Sequence, residues 1–445
     1  MIAQGLRCCD VHPPLYFWVA ALWRRIAGAS APGLGLLPIR LLSAIAAMLA
    51  LSAIAAIACA ADIAPALAVL LTAGCYAFAY TAFTARDFAV AEAFLLAGLL
   101  AALRTTMADT GRAAMPRAML CGLLLGAACF TNYLAVFTAG TVLLWLLIRR
   151  PRAGILALLA CAAFLPAGGY FFLAQRNARP GQFPRFSLPH ALELLARDTG
   201  AALFGGLPEY MPADMRALTV AALGLVLCAI AAAMIACRPR PYWNASRLLL
   251  ASCFLAQLAG LLMLGLVFDN TPIEIRYLCF LCPFFGILAA ACVQRRGLPH
   301  PAGLAVLAIQ AAAVLGLLFM PQTMQPIEPT LRIIRGMARP GSVALIPYGD
   351  DGVGVAGALV NGAPGGLPVL VFRDLSRLPA LSDRAQLLLV DMRTDQASIR
   401  EADAIATMLR HEGWVPQQHG TQVIVYRRSS KNTGRAKHCG TGKNP

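Results

Sequence analysis

The stretch LPIRLLSAIAAMLALSAIAAIAC, which runs from Leu37 to Cys59, decides the fold class. A helix of about 23 residues, at 1.5 Å per residue, is long enough to cross the roughly 30 Å hydrocarbon core of a bilayer. The stretch contains a single charged residue, Arg40. It therefore predicts a transmembrane helix.

Similar apolar blocks recur along the chain up to residue 320. Of the 445 residues, 59% are hydrophobic and 13% are charged, whereas an average soluble domain is roughly 25% charged. Taking each block as one span predicts about ten transmembrane helices, and so a polytopic α-helical membrane protein. The predicted spans are residues 37–59, 64–82, 88–104, 118–132, 133–148, 153–173, 213–237, 247–268, 275–293 and 301–320. Residues 1–10 lack the apolar core of a signal peptide.

The connectors between these spans alternate between two compositions. One set is rich in arginine, and the other, residues 83–92, 174–212 and 269–274, is mixed or acidic. The arginine-rich set comprises Arg104 to Arg117, Arg149 to Arg152, Arg238 to Arg247, and Arg295 with Arg296. Because arginine-rich loops stay cytoplasmic, the second set and the chain after residue 320 are predicted to lie outside.

This orientation also places residues 1–36 outside. Within them, the aromatic segment Pro13–Ala27 is too short to span and ends near Arg24 and Arg25. It is typical of a helix that lies in the membrane interface. Since nothing upstream carries residue 1 across the bilayer, we expect that a first span is missing from this sequence.

Residues 321–428 change character and predict a small extracytoplasmic α/β domain. Short apolar runs alternate with helical patterns, the clearest of which is 397–413. The predicted strands are Ser342–Tyr348, Leu367–Phe372, Ala385–Met392 and Gln422–Arg427. Residues 429–445 are polar and basic, and their composition predicts disorder.

Three general signals carry little functional weight. The glycine pattern Gly352 to Gly357 matches a dinucleotide fingerprint, but it also fits a plain strand-to-helix turn, and we expect no nucleotide cofactor. The pair Cys279 and Cys282 lies inside an apolar helix, where packing is the simpler interpretation. The net charge of +16 comes from arginines between spans, which argues against nucleic acid as a partner.

The sharpest local motif is DVHPPLY, residues 10–16. Two prolines can open a helix, because its first turn has no use for their missing N–H groups. Asp10 and His12 would then lie at the helix mouth, where they could hold a divalent metal or orient a phosphate. The alternative is a capped interfacial helix without a site.

Further candidates lie on the predicted outer side. Asp87 and Glu92 belong to RDFAVAE, and charged residues at a membrane face are functional candidates by default. Arg276, followed by Tyr277, could pair with a phosphate bidentately or simply anchor its span at the headgroups. The pair Asn132-Tyr133 marks an outer turn and could be only an aromatic belt position.

These motifs occur in an order that resembles one family. DVHPPLYFW, then Arg40-Leu41-Leu42-Ser43, TARDFAVAEAF and EIRYLCFLCPF are similar to glycosyltransferase family 39, which includes protein O-mannosyltransferases and lipid A aminoarabinose transferases. The resemblance covers roughly residues 7–320. It implies a GT-C fold and an enzyme of the bacterial inner membrane. Such an enzyme moves a sugar, with inversion, from a polyprenyl-phosphate donor to an extracytoplasmic lipid, polysaccharide or protein.

The resemblance also implies residue roles. Asp10 and His12 would contact the lipid phosphate or a metal, and Arg276 with Tyr277 would match the arginine-tyrosine pair that opens a late span. Glu92 would match an acidic residue at the outer end of a span. The family's first acidic motif lies upstream of HPP and is absent here, so we expect another acid, Asp87 or Glu92, to act as the general base.

Two other functions remain open from the sequence. A transporter or flippase for a lipid-linked sugar should carry mid-span charges or broken helices in paired positions. A catalytically degenerate relative could act as a partner protein. Candidate charges clustered at one membrane face favour the transferase.

Overall fold

The structure is a computed structural model, and it describes most of the chain. The described residues are 12–27, 36–107, 114–175, 183–236, 244–294, 301–319, 327–347, 359–360, 362–372, 381, 384–391, 396–418 and 422–428. They fall into two compact units, a helical unit that ends at residue 322 and a sheet unit that begins at residue 323 and also takes in residues 179–183. Asp10, the glycine pattern of residues 352–357 and the basic tail lie outside the described residues.

The helical unit follows the apolar blocks of the sequence. Its helices are α1 Leu15–Ile26, α2 Leu36–Ala60, α3 Pro65–Ala73, α4 Tyr76–Phe83, α5 Phe88–Met107, α6 Ala114–Thr131, α7 Ala135–Arg149, α8 Pro151–Ala162, α9 Leu165–Gln175, α10 Leu188–Leu203, α11 Leu207–Tyr210, α12 Ala213–Ala236, α13 Ala245–Phe268, α14 Cys282–Val293 and α15 Pro301–Phe319. A 3₁₀ helix, Ile275–Leu281, precedes α14. Each predicted span coincides with a helix or with a pair of consecutive helices.

Length and composition make the described part of the chain a multi-pass membrane protein. Five helical segments are long and apolar enough to cross a bilayer, and the number rises to seven if each of two bent pairs is one span. Within the bundle, α5 packs along both α2 and α6 and is largely buried. The count of ten crossings stays a prediction.

Two predicted single spans are in fact bent helix pairs. The segment predicted at 64–82 bends by 74° between α3 and α4, where Gly74 ends α3 and Cys75 is extended. The segment predicted at 153–173 bends by 46° between α8 and α9, close to Pro166. A proline has no N–H to donate, so the second break has a local cause.

The polar side chain of Gln310 stabilises the first break. Its amide donates to the carbonyl of Leu71 at 3.0 Å and to the carbonyl of Leu203 at 2.8 Å. A Cβ atom added at Gly74 would lie 2.6 Å from the Gln310 side-chain oxygen. Glycine at this position therefore lets α15 approach the bend closely enough to satisfy a carbonyl near its end.

The second unit is a small α/β domain. Its strands are β1 Ser342–Pro347, β2 Val369–Phe372, β3 Gln386–Val390, β4 Trp414–Gln418 and β5 Val423–Arg428, and its helices are α16 Glu328–Met337 and α17 Gln396–His411. The sheet order is β2-β1-β3-β5-β4, with β2 and β3 parallel to β1 and with β5 antiparallel to both of its neighbours.

Burial explains why the central strands read as continuous apolar runs. Every residue of β1 and β3 is buried, because the sheet is covered on both faces. Ile405 and Leu409 of α17 pack on one face, while Leu331 and Ile334 of α16 pack on the other. The sequence did not predict β4, whose Pro416 and two glutamines are unlike a buried strand but suit an edge strand.

Candidate functional site

The HPP motif leads into a short amphipathic helix. Helix α1 begins at Leu15, directly after Pro13 and Pro14, as the motif predicts. Tyr16 is buried on one side of α1, and an exposed apolar stripe runs along the helix. The stripe consists of Trp18, Leu22 and Ile26. The Trp23 indole N–H donates to the Pro38 carbonyl at 2.6 Å, which fastens α1 to the start of α2.

A buried carboxylate lies at the start of α5. Asp87 directly precedes this helix and is 3% exposed, and Asn132, just after α6, is 4% exposed. The Asn132 side-chain N–H donates to Asp87 Oδ2 at 2.9 Å. Asn132 Oδ1 in turn accepts from the Leu134 backbone N–H at 2.9 Å, so the amide that orients Asp87 is itself held in place.

A glutamine joins this turn to the HPP motif. The Tyr133 hydroxyl donates to Gln175 Oε1 at 3.1 Å, and Gln175 Nε2 donates to the His12 carbonyl at 2.8 Å. Gln175 is buried at the end of α9. Gln175 was not predicted as a site residue, because its only signal in the sequence is a polar residue that closes an apolar helix.

Tyr16 brings the HPP helix to the same carboxylate. Burial raises the pKa of Tyr16, and the nearby Asp87 carboxylate raises it further, while Arg86 and the nearby Ser43 hydroxyl oppose the shift. The Ser43 hydroxyl lies 3.5 Å from the Arg86 carbonyl, and Ser43 is fully buried. The RLLS motif of α2 and the RDF motif before α5 are therefore parts of one cluster with α1.

The arginine-tyrosine motif lies against the start of α5. Arg276 is 6% exposed and its Nε forms an ion pair with the Glu274 carboxylate. The Arg276 guanidinium carbon is 5.4 Å from the centre of the Tyr277 ring. That ring lies 6.1 Å from the ring of Phe88, the residue after Asp87. Arg276, a buried cation, and Asp87, a buried carboxylate, are therefore each adjacent in sequence to one of the two rings in this contact.

Glu92 occupies a different environment from Asp87. It lies roughly 7 Å further along the axis of α5 and is 1% exposed. Its Oε1 has no hydrogen-bond partner among the described residues. Glu92 is close enough to Cys279 and Cys282 for its charge to act on them, and both are buried free thiols. The structure therefore brings Glu92 beneath the polar cluster and places it among apolar and sulfur groups.

The residues named from the sequence are connected in two ways. The main chain of His12 is linked through Gln175 to Tyr133, the residue after the Asn132 that holds Asp87. The ring of Tyr277, next to Arg276, lies against Phe88, next to Asp87. The connectors that carry them are those that the arginine alternation places on one side of the membrane. Which side of the membrane this is stays a prediction.

A metal site cannot be assembled from the described residues. Among them, no three His, Cys, Asp or Glu side chains lie together in a way that could hold a metal ion. Asp10 is outside this set. The divalent metal expected at Asp10 and His12 therefore stays a prediction.

The helical unit and the sheet unit together define a multi-pass membrane protein with a GT-C-like fold. The fold is similar to the crystal structure of ArnT from Cupriavidus metallidurans bound to undecaprenyl phosphate, with a TM-score of 0.52 and 13% sequence identity over 97% of this chain and 92% of that one. The same ArnT in the apo state gives a TM-score of 0.43 and 12% identity over 95% and 88% of the two chains. At this identity the likeness shows the fold alone.

Comparison of the amino-acid sequence with known families and proteins does not assign this chain to a family. No family model and no curated protein matches this chain.

Proposed function

We propose that this chain is a glycosyltransferase that moves a sugar, with inversion, from a polyprenyl-phosphate donor to an acceptor outside the cytoplasm. The observation that carries the proposal is the buried carboxylate of Asp87, which Asn132 orients at the start of α5. The ring of Tyr277, the residue after Arg276, lies against Phe88, the residue after Asp87. A fixed base and a buried cation are the two groups that such a transfer needs. A fold shared with ArnT bound to undecaprenyl phosphate supports a polyprenyl-phosphate donor.

The proposed step uses one base and one cation. Asp87 accepts the proton of the acceptor hydroxyl while that oxygen forms a bond to the anomeric carbon of the sugar. The bond from the anomeric carbon to the phosphate oxygen breaks on the opposite face, and its electron pair leaves with the polyprenyl phosphate. Arg276 stabilises the charge that develops on this phosphate, because an arginine can donate two parallel hydrogen bonds to it.

Asp87 suits the base better than Glu92 does. Its carboxylate lies at the helix start with an oriented amide donor, whereas Glu92 is deeper in the bundle and has an oxygen without a hydrogen-bond partner in the described structure. Glu92 remains the second candidate for the acid–base role. Charged residues within spans are costly and are functional candidates for that reason.

The remaining predicted residues are proposed to bind the donor. Tyr277 packs beside Arg276 and would contact the lipid phosphate with it. His12 starts the HPP segment, and the resemblance to family 39 supports a role for Asp10 and His12 at the phosphate or at a divalent metal. The described metal-ligand residues do not by themselves make a site.

The proposed location is the outer face of a bacterial inner membrane. Arginine-rich connectors support this orientation, which also puts the sheet domain of residues 321–428 outside. A lipid-linked donor needs no nucleotide on that side. The acceptor would be a lipid, a polysaccharide or a protein of the envelope.

The experiment is a transfer assay in membrane vesicles that contain the chain. Polyprenyl-phosphate hexoses and aminopentoses, labelled in the sugar, are supplied as donors. We expect label to move into an acceptor and free polyprenyl phosphate to accumulate, with a loss of both in Asp87→Asn. A wild-type chain that transfers no label from any donor, but supports transfer when a partner enzyme is added, would instead be a degenerate relative acting as a partner protein.

A second candidate function is movement of a lipid-linked sugar across the membrane. Two bent helix pairs and the buried Glu92 favour it, because transporters use broken helices and intramembrane charges. In proteoliposomes without acceptor, a transporter would move the labelled lipid between leaflets. A transferase would leave its leaflet distribution unchanged.

A further inference from the structure

The Arg276 side chain already holds an anion of this chain. Its Nε pairs with the Glu274 carboxylate, two residues earlier. The guanidinium is almost fully buried, with 7% of the side chain exposed, whereas 23% of the Glu274 side chain is exposed. A buried cation without a partner is strongly unfavourable, so some anion must neutralise Arg276 whenever no substrate is bound.

The backbone around Glu274 is held, while 23% of its side chain is exposed to solvent. Thr271 is tied to the segment before α10, because its N–H donates to the Pro184 carbonyl at 3.0 Å and its hydroxyl to the Arg185 carbonyl at 3.3 Å. The Glu274 carbonyl accepts from the Tyr277 N–H at 2.9 Å. With the main chain fixed on both sides, the Glu274 side chain is the part of this ion pair that can move toward solvent.

We propose that Glu274 is a displaceable stand-in for the donor phosphate on Arg276. When a phosphate monoester or diester of the lipid binds, it forms an ion pair with the Arg276 guanidinium, and the Glu274 carboxylate turns outward into water. Glu274 thus competes with the phosphate and tunes its release, which makes it a positioning residue and not a catalytic one. This inference rests on the proposed function, since it assumes that Arg276 binds the donor phosphate.

The competing interpretation is that Glu274 only orients Arg276. The two interpretations predict opposite effects of Glu274→Gln on the affinity for phosphate. If Glu274 competes with phosphate, Glu274→Gln removes a rival anion and tightens phosphate binding. If Glu274 merely holds the guanidinium in position, the same change leaves Arg276 less ordered and weakens binding.

The test measures binding of undecaprenyl phosphate to the full chain in detergent by titration calorimetry. We expect Glu274→Gln to bind about five- to tenfold more tightly than wild type, as the loss of one competing ion pair implies. Arg276→Gln should bind at least about 30-fold more weakly. In the Arg276→Gln background, Glu274→Gln should give no gain, because the two residues act through one contact. A parallel titration with inorganic phosphate separates recognition of the phosphate group from recognition of the lipid.

The matched control is Glu193→Gln on α10. The Glu193 side chain is 79% exposed and lies 3.9 Å from His190, so this change removes the same charge without touching Arg276. Its affinity should equal that of wild type. Unchanged or weaker binding by Glu274→Gln, while wild type binds, overturns this inference and leaves the proposed function standing. If wild type and all variants fail to bind undecaprenyl phosphate, the proposed donor and the stand-in role fall together.

Discussion

The Asn132 amide donates to the Asp87 carboxylate at 2.9 Å, and this bond joins two turns that are 45 residues apart in the chain. Both side chains are buried at the same end of the bundle. A carboxylate held by an oriented amide donor is a suitable group to accept the proton of a substrate hydroxyl. The relationship therefore explains how a short loop between spans can present a base.

Replacing Asp87 should remove transfer without removing the fold. We expect Asp87→Asn to lower kcat about 100-fold or more, since it keeps the shape but cannot accept the proton. Asn132→Ala should lower kcat about 10-fold, because it leaves the base present but less well oriented. Transfer kinetics in vesicles check both values, and the exposed Asp214→Asn on α12 is the control that should change nothing.

Glu92 separates two assignments of the base. If Asp87 is the base, Glu92→Gln should keep transfer within about threefold of wild type, because a neutral amide of the same size fits the buried site. The same kinetic assay applies. A large loss for Glu92→Gln together with an active Asp87→Asn would move the base to Glu92.

Gln175 should act by positioning the HPP segment. Gln175→Leu removes the bonds to His12 and Tyr133 and is expected to lower kcat/KM about 10-fold. Tyr133→Phe should lose less, because only one bond is removed. The double variant should match Gln175→Leu alone, since Tyr133 acts through Gln175. Additive losses would show that the two side chains act independently.

Gln310 should matter for stability and not for chemistry. Gln310→Leu removes this donor from the carbonyls of Leu71 and Leu203 in the bundle interior. The Leu71 carbonyl keeps the weak donor Cys75 Sγ at 3.2 Å, and a buried carbonyl left without a partner costs about 1–3 kcal/mol. We expect a lower melting temperature in detergent. Gln294→Leu is the matched control, because the Ala64 N–H that Gln294 accepts from is exposed and can turn to water. Equal melting temperatures for the two variants would contradict the proposal that Gln310 stabilises the break between α3 and α4.

The orientation of the chain can be checked with fusions. Alkaline phosphatase needs disulfides and is active only when exported. We therefore expect activity from a fusion after residue 322 and none from a fusion after residue 295, following the arginine alternation. The reverse pattern would turn the candidate site toward the cytoplasm and would remove the case for a donor used outside.

Much of this architecture was readable from local sequence, and the rest was not. Apolar blocks predicted the helices. Continuous apolar runs predicted β1 and β3, because a strand that is buried on both faces consists almost entirely of apolar residues. The bends near Gly74 and Pro166 were missed, since hydropathy alone does not register a change of helix direction. β4 was missed because an edge strand tolerates proline and polar residues.

The candidate site was predicted as residues but not as a network. Charged and aromatic residues in connectors identified Asp87, Arg276 and Tyr277, and they stood out against apolar spans. Gln175 and the pairing of Asn132 with Asp87 depend on which turns meet in three dimensions, and no spacing in one chain encodes that. The Glu274–Arg276 pair was close in sequence, but the difference in burial of its two members appeared only in the structure.

The central claim is that Asp87 deprotonates an acceptor while Arg276 receives the departing lipid phosphate. Single-turnover release of undecaprenyl phosphate from an undecaprenyl-phosphate sugar, in vesicles that supply acceptor, tests it most directly. The account predicts rapid release by wild type, about 100-fold slower release by Asp87→Asn at saturating donor, and unchanged donor binding by that variant. Release by Asp87→Asn at the wild-type rate would contradict it.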